Sequence, residues 1–244
     1  MAALATLALC ALALAAVAGA YQLSRGRDRR AEGDRAGGPP AAPATTDGSR
    51  RPAARRPPPP AAPEYPPVRY RDSRAIGLPH AGSLARGTRL PARGAHFATW
   101  DPILKRSPNR RWRRFATDEL VRMLIGVQRA YAARQPGERP MLIGDLSRPR
   151  GGDFGIRYGI VGHSSHQNGL DADIYYPRRD RRPMAPTTVG QVDRRLAQRL
   201  VELFVAAGAE TVLVGPNVGL TGPRGVVMPY PNHDNHLHVR IREG

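Results

Sequence analysis

The uneven distribution of proline along the chain leaves only residues 71–244 able to form a compact domain. Residues 21–70 contain 11 of the 25 prolines and 10 arginines, and they show no apolar periodicity. A segment of this composition cannot bury enough apolar surface to offset the conformational entropy that is lost on folding. We therefore expect residues 21–70 to be a disordered Pro/Ala/Arg-rich linker, extended and semi-rigid, and residues 71–244 to be the folded domain.

An apolar segment precedes this linker. Residues 1–20 carry no charged side chain and consist mainly of Ala, Leu and Val, and Ala18-Gly19-Ala20 offers a small-x-small cleavage site. Such a segment is typical of a secretory signal peptide, and at about 20 residues it is also long enough to be an N-terminal membrane anchor. Both interpretations place the domain in the periplasm or the cell envelope, with membrane contact only through the N-terminal segment.

The domain is basic and contains no cysteine. The single cysteine of the chain, Cys10, lies in the apolar segment, so the domain has neither a disulfide framework nor a cysteine nucleophile. The linker holds 10 of the chain's 38 basic residues and 5 of its 20 acidic residues, which leaves 28 against 15 and a net charge of +13 for residues 71–244. A basic surface suits a polyanion, and the predicted export favours an acidic cell-wall polymer over nucleic acid.

Two helices and four short strands are predicted within the domain. A helix over 117–133 has Thr117 as its N-cap, and a second helix starts at the apparent capping box Thr188-x-x-Gln191 and ends near Gly208. Strands are predicted over 141–145, 172–176, 211–214 and 236–241, and residues 151–169 are predicted to form a loop. Because the regular βαβ spacing and a phosphate-binding glycine loop are missing, we expect an α+β fold with a small antiparallel sheet and flanking helices.

Five of the seven histidines fall in two short segments that also carry aspartates. The last predicted strand alternates strictly, so that His236, His238 and Arg240 share one face and the apolar residues between them share the other. The two segments contain the following candidates: His163, His166, Asp171 and Asp173 in the first, and His233, His236 and His238 in the second.

Histidine combined with carboxylate suits zinc, and a catalytic zinc site uses three protein ligands. We expect those ligands to be His166, Asp173 and His238. On one strand face, His236 and His238 lie about 7 Å apart, which is a wide separation for two side chains that bind the same ion. This spacing instead predicts one ligand and one neighbouring histidine that acts on the attacking water.

These residues carry a family resemblance. The pattern His166-x-x-Gly169-x-x-x-Asp173 with His236-x-His238 resembles the zinc peptidases grouped with lysostaphin and the D-alanyl-D-alanine peptidases, and in particular the penicillin-insensitive murein endopeptidases. The similarity spans roughly residues 75–242. It includes Gly162-His163-Ser164-Ser165-His166, Gly169-Leu170-Asp171, His233-x-x-His236-x-His238-Val239-Arg240, Ile143-Gly144-Asp145 and Gly151-Gly152-x-Phe154.

The resemblance implies Zn²⁺ on His166, Asp173 and His238, and hydrolysis of D-alanyl–meso-diaminopimelate amide cross-links in peptidoglycan. Since no glutamate occurs near either segment, His236 is the candidate general base, and His233 either orients the water or protonates the leaving amine. We expect His163 either to lie behind the metal ligands or to face the substrate. We expect Asp171 either to fix the tautomer of a histidine or to be a solvated carboxylate in a turn.

Other residues give a weaker signal. Arg148 and Arg240 could each meet a substrate carboxylate, while Tyr175 fits a core position and a pocket wall equally well. Asp145 follows a predicted strand, and we expect it to be structural and to lie outside the site.

Two alternatives to the endopeptidase stay open at this level. A D,D-carboxypeptidase would use the same metal ligands to remove a terminal D-alanine from stem peptides. A non-catalytic cell-wall-binding module would depend on the charge of +13 alone. The presence of a full ligand set favours an enzyme.

Overall fold

The computed structural model describes residues 65–154 and 163–243. The predicted apolar segment 1–20 and most of the predicted linker lie outside these ranges, and residues 65–70 contain neither a helix nor a strand.

Among the described residues, none of the helices combines the length and the apolar character needed to cross a membrane.

The described chain contains two α-helices and eleven strands. The helices are α1 (Asp118–Arg134) and α2 (Arg194–Ala206). The strands are β1 (Arg74–Leu78), β2 (Ala81–Ala85), β3 (Thr88–Arg89), β4 (Arg93–Gly94), β5 (Phe97–Thr99), β6 (Phe115–Ala116), β7 (Met141–Ile143), β8 (Asp171–Tyr175), β9 (Thr211–Val214), β10 (Val227–Pro229) and β11 (His236–Arg240).

Seven of the described strands form one sheet in the order β10-β9-β11-β8-β7-β5-β4. The pairs β5–β7 and β9–β10 are parallel, and the other pairs are antiparallel. The fold is α+β as predicted, but the expectation of a small antiparallel sheet is wrong, because the sheet is larger and mixed. Within this sheet the missed strands are β4, β5 and β10, which have two or three residues each, too short for alternation to be read from sequence. Outside it, β1, β2, β3 and β6 were not predicted either.

The central strands divide the sheet into an apolar and a polar face. Leu237 and Val239 of β11 are fully buried, as are Ala172 and Ile174 of β8, and they belong to one core cluster with buried residues of α1 and α2. The opposite face of β8 and β11 carries aspartates, histidines, a tyrosine and an arginine. The helices therefore cover one side of the sheet, and the polar residues of the two histidine segments lie on the other.

Both helices begin at residues whose side chains cap them. Thr117 accepts a hydrogen bond from Leu120 N, as predicted for α1. At α2 the predicted capping box is wrong: Asp193 is the N-cap and accepts from Leu196 N at 3.0 Å. Gln191 is unavailable because its Oε1 accepts hydrogen bonds from Arg178 and Thr187.

The β1–β2 hairpin packs on the loop that carries the first histidines. Gln167 N donates to the carbonyl of Pro79, and Asn168 Nδ2 donates to that of Gly77. Gly169 has a φ of +82°, and a Cβ there would lie 2.8 Å from Leu84 Cδ1 of β2. The positive φ therefore favours glycine at this position of the histidine motif, and a larger residue would also have to displace the Leu84 side chain.

The carboxylate of Asp118 connects the N-terminus of α1 to the start of the domain. It accepts hydrogen bonds from the hydroxyl of Ser73 at 2.9 Å, from the hydroxyl of Thr88, and from the backbone N–H groups of Arg71 and Asp72. Burial by itself would raise the pKa of Asp118, but these hydrogen bonds outweigh it and lower the pKa below its ordinary value. The charged form therefore stabilises the fold.

We expect Asp118→Asn to lower the free energy of unfolding by about 1.5–3 kcal/mol at pH 7, the usual range for hydrogen bonds to a charged group. Because the folded-state pKa is depressed, this stabilisation is complete above the unfolded pKa of about 3.9 and is lost as the pH falls through the folded value. Urea unfolding of both proteins between pH 7 and pH 2 measures the difference.

The control is Glu119→Gln, which removes an exposed carboxylate from the same helical turn. It should change stability by no more than about 0.5 kcal/mol. A difference between wild type and Asp118→Asn that stays constant down to pH 2 would contradict the assigned role.

Candidate metal centre

The polar face of the sheet orders the site residues in three rows. The pairing of β8 with β11 places His236 opposite Tyr175, His238 opposite Asp173, and Arg240 opposite Asp171. Residues in successive rows are two positions apart along each strand, or about 7 Å. The rows bring together two segments of the chain that lie more than 60 residues apart in sequence.

The carboxylate of Asp173 is the centre of the histidine cluster. Its Oδ1 lies 3.3 Å from His166 Nε2, 3.2 Å from His238 Nδ1 and 3.7 Å from His236 Nε2. Its Oδ2 lies 3.3 Å from His163 Nε2. Burial would raise the pKa of Asp173, but the surrounding imidazoles lower it well below its ordinary value, so the carboxylate is ionised.

His166 presents an unprotonated nitrogen to this carboxylate. Its Nδ1 lies 2.9 Å from the carbonyl oxygen of Leu146, which can only accept, so Nδ1 carries the proton. Burial lowers the pKa of the fully buried His166, which keeps the ring neutral. Its Nε2 is buried and has no hydrogen-bond partner among the described residues. Two lone pairs, on His166 Nε2 and Asp173 Oδ1, therefore face each other.

This arrangement fits a metal ion. Two buried acceptors that face each other without a proton between them are unfavourable unless a cation lies between or beside them. The carbonyl bond that fixes the His166 tautomer is the usual second contact of a metal-binding imidazole. The ligand atoms of His163, His166 and Asp173 lie within 4.8 Å of one another, so these three residues could hold an ion together.

Asp171 holds three parts of the site in place. One carboxylate oxygen accepts from His238 Nε2 at 2.8 Å and from Arg240 Nε at 2.7 Å, and the other accepts from the backbone N–H of His166 at 3.2 Å. His166 has a φ of +68°, an uncommon conformation for a residue with a Cβ, so this bond helps to hold a strained turn.

These contacts set the charge of His238. Burial would lower the pKa of His238, but hydrogen bonds to Asp171 and Asp173 raise it to about 9. Burial would likewise raise the pKa of Asp171, and its bonds to His238 lower it to about 2. With Asp171 accepting from Nε2, a neutral His238 would present its Nδ1 toward Asp173.

Asp145 belongs to the site, and the expectation that it lies outside is wrong. Its Oδ2 lies 3.2 Å from His163 Nε2, and it forms a two-pronged ion pair with Arg113, with distances of 2.6 Å from Nε and 2.5 Å from Nη2. Asn109 donates to the same carboxylate. The position of Asp145 after strand β7, which lies beside β8 in the sheet, is the feature of the sequence that could have indicated its place in the site. Arg113 gave no signal among the many arginines.

An aromatic layer packs around Arg113 and the first histidines. The guanidinium carbon of Arg113 lies 4.9 Å from the ring centroid of Trp112 and 5.1 Å from that of Phe154. The ring of Phe154 in turn stacks on His163 and His166 at centroid distances of 5.4 and 5.9 Å. The buried arginine thus forms part of the support for both histidine rings.

His236 and His233 lie on the cleft side of the cluster. His236 Nδ1 lies 2.6 Å from Asn235 Oδ1, and His233 Nδ1 lies 2.7 Å from the carbonyl oxygen of Pro231. The two rings are 4.7 Å apart. Burial lowers the pKa of His236 to about 4, so its Nε2 is unprotonated at neutral pH. Burial also lowers the pKa of His233.

A cleft of about 730 Å³ opens over the rows. The exposed residues Ile103 and Tyr230 line it, and His80 joins them from the β1–β2 turn. The cleft is lined by Asp145 and by all of the candidate histidines except the fully buried His166. Tyr175 also lines it while packing on Trp100, so it belongs both to a small core cluster and to the pocket wall. Arg148 is not among its lining residues, and Arg240 is.

Fold and site together define an α+β domain with a histidine–aspartate centre in an open cleft, an arrangement found in peptidases. The family model of the penicillin-insensitive murein endopeptidases matches residues 75–215. The chain therefore belongs to the penicillin-insensitive murein endopeptidase family. The match includes the first histidine segment and ends before the second.

Individual relatives agree with the family assignment. The penicillin-insensitive murein endopeptidase of Haemophilus influenzae is 33% identical over 205 residues, 72% of this chain and 66% of the relative. The protein of that name from Salmonella heidelberg is 29% identical over 66% of this chain and 65% of the relative. The chain thus spans just under two thirds of the length of these relatives.

We expect Arg113→Met to lower the free energy of unfolding by about 3–5 kcal/mol, because it leaves Asp145 as a buried charge without its main partner. Asp145→Asn should also destabilise the protein. The double variant should be less destabilised than the sum of the two, since the ion pair is then removed as a unit. Urea unfolding of the four proteins measures this coupling.

Arg111→Met is the matched control, since Arg111 lies in the same turn and is exposed. It should cost no more than about 0.5 kcal/mol. Equal destabilisation by Arg111→Met and Arg113→Met would show that the buried ion pair does not support the site.

Proposed function

We propose that this chain is a zinc-dependent murein endopeptidase that hydrolyses the D-alanyl–meso-diaminopimelate amide cross-links of peptidoglycan. The observation that carries the proposal is the bare, buried Nε2 of His166 facing the ionised carboxylate of Asp173, in a chain of this family. Its partner is then the anionic cell wall and not nucleic acid, and its location is the periplasm or cell envelope.

The proposed metal ligands are His166, Asp173 and His238. His238 is favoured over His163 as the third ligand, because Asp171 fixes its Nε2 and directs its Nδ1 to Asp173. His163 Nε2 is already shared between Asp145 and Asp173. When bound, Zn²⁺ would act as a Lewis acid that polarises the scissile carbonyl and makes water a better nucleophile.

The remaining steps fall to side chains of this chain. His236 Nε2, held toward Asp173 by the bond between Nδ1 and Asn235, takes the proton of the attacking water. His236 then gives this proton to the nitrogen of the leaving amine. His233 lies beside His236 and either orients the water or relays the proton from His236 to that nitrogen. The electrons of the broken C–N bond stay with that nitrogen, and the new carboxylate remains on the D-alanine.

Mass spectrometry of muropeptides before and after incubation with the protein tests the function. We expect cross-linked dimers to disappear and monomers to accumulate, and a chelator to prevent this. Release of free D-alanine from stem peptides with the dimers left intact would identify a carboxypeptidase instead. Binding to purified sacculi by a protein without zinc and without either product would identify a cell-wall-binding module.

Two variants separate the ligand from the base. His238→Ala should lose both zinc and activity, because a three-ligand site loses one ligand. His236→Ala should keep about one zinc per chain and lose roughly 10²–10⁴-fold in rate, the usual contribution of general acid–base catalysis. Metal analysis beside the rate of dimer cleavage gives both readouts.

His163→Ala controls for the competing ligand set and should retain its zinc. Full zinc content in His238→Ala together with loss of zinc in His163→Ala would replace His238 by His163 as the third ligand. Loss of zinc in His236→Ala would make that residue a ligand and refute its assignment as the base.

A further inference from the structure

Arg240 lies in the third row of the polar sheet face, beyond the proposed metal ligands. It is paired with Asp171 on β8 and with Thr211 on β9, one row past the pair formed by His238 and Asp173. The candidate base His236 lies one row on the other side. Arg240 and His236 therefore flank the metal-ligand row, each about 7 Å from it along the strand.

The side chain of Arg240 is fixed at one end and open at the other. Its Nε donates to Asp171 Oδ1 at 2.7 Å, and 30% of the side chain is exposed. Among the described residues, none accepts a hydrogen bond from its two terminal nitrogens, Nη1 and Nη2. Asp171 Oδ1 also lies 2.8 Å from His238 Nε2, so one carboxylate oxygen holds both side chains. The outer edge of the guanidinium is thus held in place for another acceptor.

The charge of this residue distinguishes it from the rest of the cleft. Residues 71–244 hold 28 of the chain's 38 lysines and arginines, yet among the described residues that line the cleft Arg240 is the one arginine and no lysine is present. Two parallel N–H groups of a guanidinium match the geometry of a carboxylate. Among the described lining residues, Arg240 is therefore the one oriented site for a carboxylate.

The substrate class of the proposed function supplies such a group. In a D-alanyl–meso-diaminopimelate cross-link, the carbon that bears the scissile nitrogen also bears a carboxylate. With the scissile carbonyl at the metal-ligand row, this carboxylate lies a few bonds further along, on the leaving-amine side.

We propose that Arg240 binds the carboxylate adjacent to the scissile amide, so that the cleft selects an acceptor residue whose carboxylate is free. This inference rests on the proposed function and adds the basis of substrate selection. One oxygen of Asp171 then holds both the proposed ligand His238 and the substrate-binding Arg240.

The test compares two cross-linked dimers that differ only at the acceptor diaminopimelate, where the carboxyl next to the scissile amide is either free or a carboxamide. Wild type should cleave the free acid about 10–100-fold better in kcat/KM, as expected for charge-assisted hydrogen bonds. Arg240→Gln should lose this preference: kcat/KM for the acid should fall more than kcat/KM for the amide, so that the ratio of the two approaches one.

Arg240→Lys should retain part of the preference, because it keeps the charge but not the paired N–H groups. Arg242→Gln is the matched control and should keep the full preference, since Arg242 is exposed and paired with Glu210 outside the cleft. Zinc content, measured for each variant, shows whether the site has stayed intact.

Equal cleavage of both dimers by wild type would by itself overturn the inference. An equal loss of kcat/KM on both dimers in Arg240→Gln, with zinc retained, would also overturn it. If wild type cleaves neither dimer, the proposed endopeptidase function fails, and the inference fails with it. Cleavage of both without preference leaves the proposed function standing and removes the role of Arg240 alone.

Discussion

The antiparallel register of β8 against β11 is the constraint on which the site depends. It places Asp173 opposite His238 and Asp171 opposite Arg240 on one face, while Ile174 and Leu237 pair on the other. Because side chains alternate along a strand, a shift of one residue would turn the polar set of one strand into the core. Burial of Leu237, Val239 and Ile174 therefore helps to fix the position of the histidines.

The site itself is held by buried charges that are compensated in pairs. Asp145 is balanced by Arg113, and Asp171 by Arg240 and His238. Such groups are costly to desolvate and contribute little net stability compared with an apolar core. Removing one partner of a pair nevertheless destabilises the fold strongly, because the other charge stays buried. In return they fix ring orientations: Asp171 sets the nitrogen that His238 presents, and the Leu146 carbonyl sets the one that His166 presents. Among the three aspartates of the site, Asp173 is the one with no cationic side chain beside it from the described residues outside the histidine cluster, consistent with a site for a metal ion.

Secondary structure and site residues could be predicted from the sequence where a pattern is long or chemically specific. Helix α1 was predicted within one residue at each end, since its cap, its acidic first turn and its apolar face agree. Prediction failed where several local solutions compete, as at α2, where Thr188 and Gln191 match a capping box but Asp193 lies closer to the first helical turn. It also failed for the very short strands, whose pairing depends on partners far along the chain.

The sequence by itself determined the composition of the site and its two strand faces, because histidine and aspartate spacing and the period of two in 236–241 are local properties. It also predicts that residues 71–244 form the domain, since only they carry enough patterned apolar residues. Tertiary structure alone decided that Asp145 and Arg113 support the histidines, that His163 lies within reach of Asp173, and that one arginine among many lines the cleft. Apart from the contact of His163 with Asp173, which share one segment, these arrangements involve residues distant in sequence. No local spacing specifies them, because they follow from which strands become neighbours when the apolar face is buried.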